Sequence, residues 1–272
     1  MRSANGIPTA IRGSIKHHQE GHPLRPIVTC IGSVLYNTSK FPTNILAPIQ
    51  NRHGFSVPNS QKFSSDIPDI NILDDETMVS FDVVSLFTAI PVEKACNYIR
   101  KKLEHDYSLH SKSKLDIDDI ICLLNFVLSN NYFIYNDDIY KQIHGCAMGS
   151  PVSPVVANLC MEEIEETAID STPVPPKIWK RYVDDSFCVI KKNAVTSFHD
   201  SLNSIDRIFP SRSSTNLMAS CHSSTPLFLA IMRGSTLMSI GSPRTRTDIL
   251  ISVHIMTEST KSALQRYFYI EP

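Results

Sequence analysis

Three aspartates pose the first chemical question. Asp82 closes the run TMVSFD, while Asp184 and Asp185 stand together in WKRYVDDSFCVI with apolar runs on either side. Carboxylates drawn from distant chain positions suit a pair of divalent ions about 3.5–4 Å apart, which clamp the attacking and leaving oxygens of a phosphoryl transfer. That chemistry asks the protein for charge stabilisation more than for covalent help. Magnesium takes a few carboxylates plus substrate phosphate oxygens, and an acid at a strand end is held more firmly than one on a loop. An Asp-Asp pair alone is most often a solvated turn. The weight therefore falls on an ordered set: FDVVSLF, then GCAMGSPVSPVVAN, then RYVDD.

These residues need elements to position them. Thr77 to Phe81 reads as a buried strand ending at Asp82. Pro91 can open a helix in which Val92, Ala95, Ile99 and Leu103 recur at helical spacing over a solvated face of Glu93, Lys94, Lys101 and Lys102. A second helix is expected over about Asp118 to Leu128, its leading acids suiting a helix N-terminus. Tyr132 to Ile143 reads as a β-hairpin turning at Asn136, Asp137 and Asp138. Ser153 and Pro154 open a helix to about Ile169. The last motif is a hairpin tipped by Asp184 and Asp185. Together these elements predict an α+β fold in which the acids converge at one sheet edge.

Composition sets the bounds. The 272 residues are 42% hydrophobic, enough to bury a large core, and a formal net charge of −1 offers no global basic field, so a nucleic-acid site would have to be local. The seven cysteines are scattered without a C-x-x-C pair, which argues against a zinc ribbon or a disulfide framework and for a reducing, intracellular setting. No apolar run approaches the roughly 18 residues of a membrane helix, so no membrane partner is expected. HHQEGH presents His17, His18 and His22, but no matching ligand pair follows and zinc is not read from it. To about Asp75 the chain is rich in Pro, Gly, Asn and Ser, which predicts loops with short elements.

FDVVSLFTAIP, GCAMGSPVSPVVANLCMEEIE and WKRYVDDSFCVI resemble successive motifs of the reverse transcriptase palm, in particular that of Penelope-like retroelements, over roughly residues 13 to 206. The resemblance implies a right-hand polymerase palm, an antiparallel sheet with helices on one face, preceded by incomplete fingers. It divides the chain into partial fingers (1–75), palm (76–209) and an atypical, irregular tail (210–272). It further implies an RNA-directed DNA polymerase that adds dNTPs to a DNA primer's 3′-hydroxyl on an RNA template, inside the cell and in the nucleus when genomic DNA is the target. Two Mg²⁺ ions, or Mn²⁺ as substitute, would be held by Asp82, Asp184, Asp185 and the backbone of Val83. Phe87 would screen against a ribose 2′-hydroxyl. GSIKHHQEGHPLRPIV would supply Lys16 and Arg25 to the triphosphate, and Gly149 of the glycine-rich motif would let backbone approach the nascent pair. Gln142, Ser153, Asn158 and Tyr182 would face template and primer, Tyr182 serving equally well as a core aromatic.

The resemblance stops near Pro210. The last 63 residues hold 19 Ser or Thr without a sustained period, and the family's onward segments G-[KQ]-L-P-F-L-D and Y-R-K-P-T-H-T-D-R are absent. Codons for Met218 through Thr225 read two nucleotides on permit Gly-Lys-Leu-Pro-Phe-Leu-Asp, and the same offset from Ile240 permits most of the second segment. A frameshift between about Asp206 and Met218 would account for both. The family's GIY-YIG endonuclease is also not recognised. The alternative function is therefore an inactive retroelement remnant with at most weak nucleic-acid binding.

Overall fold

The computed structural model describes residues 9–15, 24–59, 62–63, 71–83, 86–107, 109, 113–205, 219–222 and 268–270, with backbone alone at 15, 24–26, 82, 219–222 and 268–270. Its elements run β1 (Thr9–Ile15), β2 (Leu24–Val28), α1 (Val34–Leu46), β3 (Glu76–Val83), α2 (Leu86–Ala89), α3 (Val92–Glu104), α4 (Ile117–Ser129), β4 (Tyr132–Tyr135), β5 (Asp138–Gln142), α5 (Ser153–Ser171), β6 (Ile178–Tyr182), β7 (Asp185–Lys191), α6 (Val195–Ile205), β8 (Ala219–His222) and β9 (Phe268–Ile270). Two sheets result, ordered β2-β1-β4-β5-β9 and β6-β7-β3-β8. The second is antiparallel throughout, whereas in the first β1 and β4 run parallel.

Strand alternation assigns the faces of the second sheet. Val79, Phe81 and Val83 of β3, Trp179 of β6 and Cys188 and Ile190 of β7 join the main core with α3, α5 and α6. On the other face, Phe187 and Val189 of β7 pack with Val57 and Phe63. Covered on both sides, β7 is buried without interruption from Ser186 to Ile190 rather than alternating. In α3, Ala95, Ile99 and Leu103 turn inward, with Glu93 in the first turn and Lys101 and Lys102 in the last complementing the helix dipole. Asp116 caps α4 by accepting from the Asp119 amide at 2.8 Å. Asn136 (φ 51°) and Asp137 (φ 64°) form the two-residue turn of the β4–β5 hairpin.

One expectation needs correction. The segment before Asp75 is more than loops: α1 spans 13 residues with Pro42 inside it. Proline removes one helical hydrogen bond, but Ile45 and Leu46 lie fully within the main core, and that packing outweighs the local cost. Strands β1 and β2, from the first 75 residues, share their sheet with β4 and β5 from the middle of the chain. Of the tail's described residues, β8 pairs with β3 and β9 with β5. Edge pairing uses backbone groups and so needs no side-chain period. The remainder of the tail and the postulated frame junction lie outside the described residues.

Candidate active site

Asp82 lies opposite Asp185 in the register of β3 and β7. Directly opposed residues on neighbouring strands have Cα atoms about 4.5–5.5 Å apart and share a sheet face. That face is the one opposite the helices, since positions 79, 81, 188 and 190 belong to the helix side. Asp184 stands beside them in the two-residue turn that joins Tyr182 to Asp185. Its carbonyl accepts the Val83 amide at 3.0 Å, fastening the turn to the end of β3. Asp82 and the Asp184–Asp185 pair, more than a hundred residues apart in the chain, thus meet at one sheet end.

Val183, in the same turn, has φ 58°. The left-handed region is unfavourable for a β-branched residue, so its surroundings must hold it there. Beneath the turn lies a buried polar network. Arg181, 1% exposed, donates from Nε to Glu165 Oε1 at 2.7 Å, from Nη2 to Asn158 Oδ1 at 2.8 Å and from Nη1 to the Val183 carbonyl at 3.1 Å. Trp179 Nε1 donates to the same Glu165 oxygen at 2.9 Å. Asn158 donates to Gln50 at 2.9 Å and to Glu162 at 3.1 Å, and the Asn51 amide donates to Glu162 at 2.6 Å. Burial pushes the Glu165 carboxyl above its ordinary range, against the pull of the Arg181 charge and the hydrogen bonds from Arg181 and Trp179.

Other sequence-assigned residues fall in distinct places. Phe87 is half-buried in α2 and packs on the main core. Its carbonyl accepts the Cys146 amide at 2.6 Å. Gly145 (φ 72°) and Gly149 (φ 140°) let their loop come close to the chain's own backbone: a Cβ at Gly145 would lie 2.5 Å from the Phe87 carbonyl oxygen, and one at Gly149 would lie 2.2 Å from that of Val28. The loop is a strap between the two sheets.

Gln142 is buried, donating to the His144 carbonyl at 2.8 Å, and Ser153 is buried at the start of α5. Asn158 is committed to the network under the turn. Gln142 and Ser153 thus lie in the packing, and Asn158 is half-buried with its amide committed to that network. Tyr182 is 37% exposed, on the same face as Asp185. The backbone of Arg25 pairs with Ser14, while Lys16 and the histidines of HHQEGH lie outside the described residues.

Sequence reasoning passed over Arg181, Glu162 and Glu165. Period-two alternation in IWKRY, which puts Trp179 and Arg181 on the helix side, was the available signal. The buried thiols are poor nucleophiles: burial pushes Cys96 up to about 11 and Cys146 to about 12, and Cys160 lies well above its ordinary value. Among the described residues no three His, Cys, Asp or Glu side chains gather as a cation cage, a set that leaves out the side chain of Asp82. The donor types fit a hard divalent ion: two acidic positions opposed on one face and a third adjoining them supply oxygen ligands only.

The fold is that of a polymerase palm. It is similar to apo telomerase from Candida tropicalis truncated from its C-terminal domain (13% identity, 74% of this chain and 47% of that one, TM-score 0.51). It is similar also to telomerase from Candida albicans in complex with the TWJ fragment of telomeric RNA (11%, 76% and 42%, TM-score 0.52) and to BmCPV RNA-dependent RNA polymerase at the quiescent state (12%, 80% and 21%, TM-score 0.51). The chain spans less than half the length of each. No protein-family model and no curated protein matches it.

Proposed function

We propose that this chain is the palm, with part of the fingers, of an RNA-directed DNA polymerase of the Penelope-like kind, and that it extends a DNA primer on an RNA template. The observation carrying the reading is the Asp82–Asp185 register with Asp184 in the adjoining turn. A palm fold alone is shared by enzymes that make DNA or RNA. The choice of dNTP rests on Phe87, and the choice of family rests on the motif wording given above.

Asp82, Asp184 and Asp185 would hold two Mg²⁺ ions, which when bound lower the pKa of the primer hydroxyl and neutralise the triphosphate. The chain itself supplies orientation. The Val83 amide and the β3–β7 ladder fix the acidic positions relative to one another. The strap runs from Gly145, against the Phe87 backbone, to Gly149, against Val28 at the end of β2, the strand that carries Arg25. Phe87 would exclude a 2′-hydroxyl, and a guanidinium at Arg25 would offer a planar fork to phosphate oxygens.

Primer extension on poly(rA)/oligo(dT) with Mg²⁺ tests this directly, comparing the chain with its Asp184→Asn/Asp185→Asn variant. Incorporation by the parent, lost in the variant, is the expected result. Equal incorporation by both would remove the acids from the mechanism, and none by either would favour the inactive remnant.

A further inference from the structure

Resting on the polymerase reading, we infer that Arg181 is a positioning residue, whose guanidinium holds the turn bearing Asp184 in the one conformation that aims its carboxylate. The Val183 carbonyl belongs to the peptide unit that leads into Asp184, and Arg181 Nη1 donates to it at 3.1 Å. The next carbonyl, that of Asp184 itself, is held by the Val83 amide. Both peptide units flanking Asp184 are therefore tied down, one by a side chain and one by β3. The left-handed Val183 immediately before them opposes this arrangement, and a conformation of that kind persists only where its surroundings over-determine it.

Arg181 is itself fixed from several directions. Its amide donates to the Phe55 carbonyl and its own carbonyl accepts from Val57, both at 2.8 Å. Glu165 and Asn158 orient the remaining guanidinium nitrogens. Glu162 and Glu165 each retain one buried oxygen without a hydrogen-bond partner, so loss of the guanidinium would leave the buried Glu165 carboxyl with still fewer partners, which makes that loss costly. Lysine cannot substitute, since one ammonium on a flexible stem does not reach Glu165, Asn158 and the Val183 carbonyl together.

Removing Arg181 alone would strand buried carboxylates and endanger folding, so the test uses two gentler variants. Arg181→Lys keeps the charge, and Arg181→Met/Glu165→Gln removes the pair together. Each is compared with the parent, with Asp184→Asn and with the surface variant Arg100→Ala. The readouts are thermal unfolding, Mn²⁺ binding by electron paramagnetic resonance, and kcat and KM for dTTP incorporation.

The expected result is a melting temperature within a few degrees of the parent for Arg181→Lys, with Mn²⁺ affinity and kcat both falling about 10–100-fold, as when an outer partner of a metal ligand is lost. KM should change little. Asp184→Asn should lose the Mn²⁺ signal and Arg100→Ala should keep it. If folded Arg181→Lys or the double variant binds Mn²⁺ and turns over like the parent, Arg181 is merely structural and the inference fails while the polymerase reading stands. If the parent itself neither incorporates nucleotide nor binds Mn²⁺ through Asp184, the polymerase reading fails and takes the inference with it.

Discussion

The two sheets are built to different standards of rigidity. In the acid-bearing sheet, β7 is buried over five consecutive residues, and Phe81, Trp179 and Phe198 interlock with ring centroids 5.4 to 6.2 Å apart. A buried guanidinium that donates from each of its three nitrogens sits beneath its turn. The other sheet rests, among the described residues, on a core of Val28, Cys30, Phe133 and Ala147, edged by partly exposed tyrosines. It is tied to the rest by the glycine strap and by the chain's passage from β2 into α1 and from α4 into β4. On the proposed reading the contrast is a division of labour: carboxylates sharing ions would tolerate little displacement, whereas a surface admitting successive triphosphates would benefit from give.

The largest expected effect tests the rigid side. Asp184→Asn should reduce metal-dependent incorporation by about 10³-fold or more, since charge stabilisation dominates such transfers, with thermal unfolding almost unmoved. Full activity in this variant would break the comparison at its root.

Next comes packing. Phe198→Ala should cost about 4 kcal/mol in denaturant unfolding, and Phe133→Ala about 3 kcal/mol because a small cluster collapses more readily around the gap. A reversed order would show that the small core is the stiffer one.

Gly149→Ala sharpens the contrast at the strap. A Cβ driven against the Val28 carbonyl should destabilise by about 2–3 kcal/mol. Hydrogen exchange should speed up at β1 and β2 while β3 and β7 stay protected. Uniform acceleration would mean that the two sheets open as one. Phe87→Ala, where the strap meets α2, should raise ribonucleotide use relative to deoxyribonucleotide use about 10-fold, the scale on which a pocket wall discriminates. Unchanged selectivity would leave Phe87 as packing only.

The smallest effect lies at the far end of β3. The Leu73 amide and the Lys177 ammonium hold the Glu76 carboxyl below its ordinary 4.5. A depressed carboxyl stabilises the fold above its unfolded pKa, and that contribution is lost as pH falls through the folded value. Unfolding midpoints should therefore decline on acidification below about pH 4.5, and Glu76→Gln should flatten that decline.

Much of the acid-bearing sheet was legible in the chain. TMVSF announced β3, Ser153 and Pro154 announced α5, and apolar runs flanking Asp184 and Asp185 announced a hairpin. Each signal is local. What escaped was either non-local or overridden. Nothing near Thr9 announces a partner at Phe133, and Pro42 argues against the helix that core packing nonetheless forms. Helix α6 was readable from Phe198, Leu202 and Ile205, which recur at helical spacing. The Arg181 network was hidden for another reason: the pattern shows that position 181 faces inward, but not that two glutamates wait there.

The parallel pairing of Thr9 and Ala10 with Phe133 and Ile134 bears on how the protein is made. A ribosome adding roughly 5–20 residues per second reaches β4 on the order of ten seconds after β1 has emerged. Until then β1 and β2 have only each other, and an isolated two-stranded hairpin is marginal in water. Translation speed and chaperone access during that interval govern how much nascent chain reaches the paired state. Synonymous codon changes between Leu24 and Tyr132 would then alter the yield of folded protein without altering any residue.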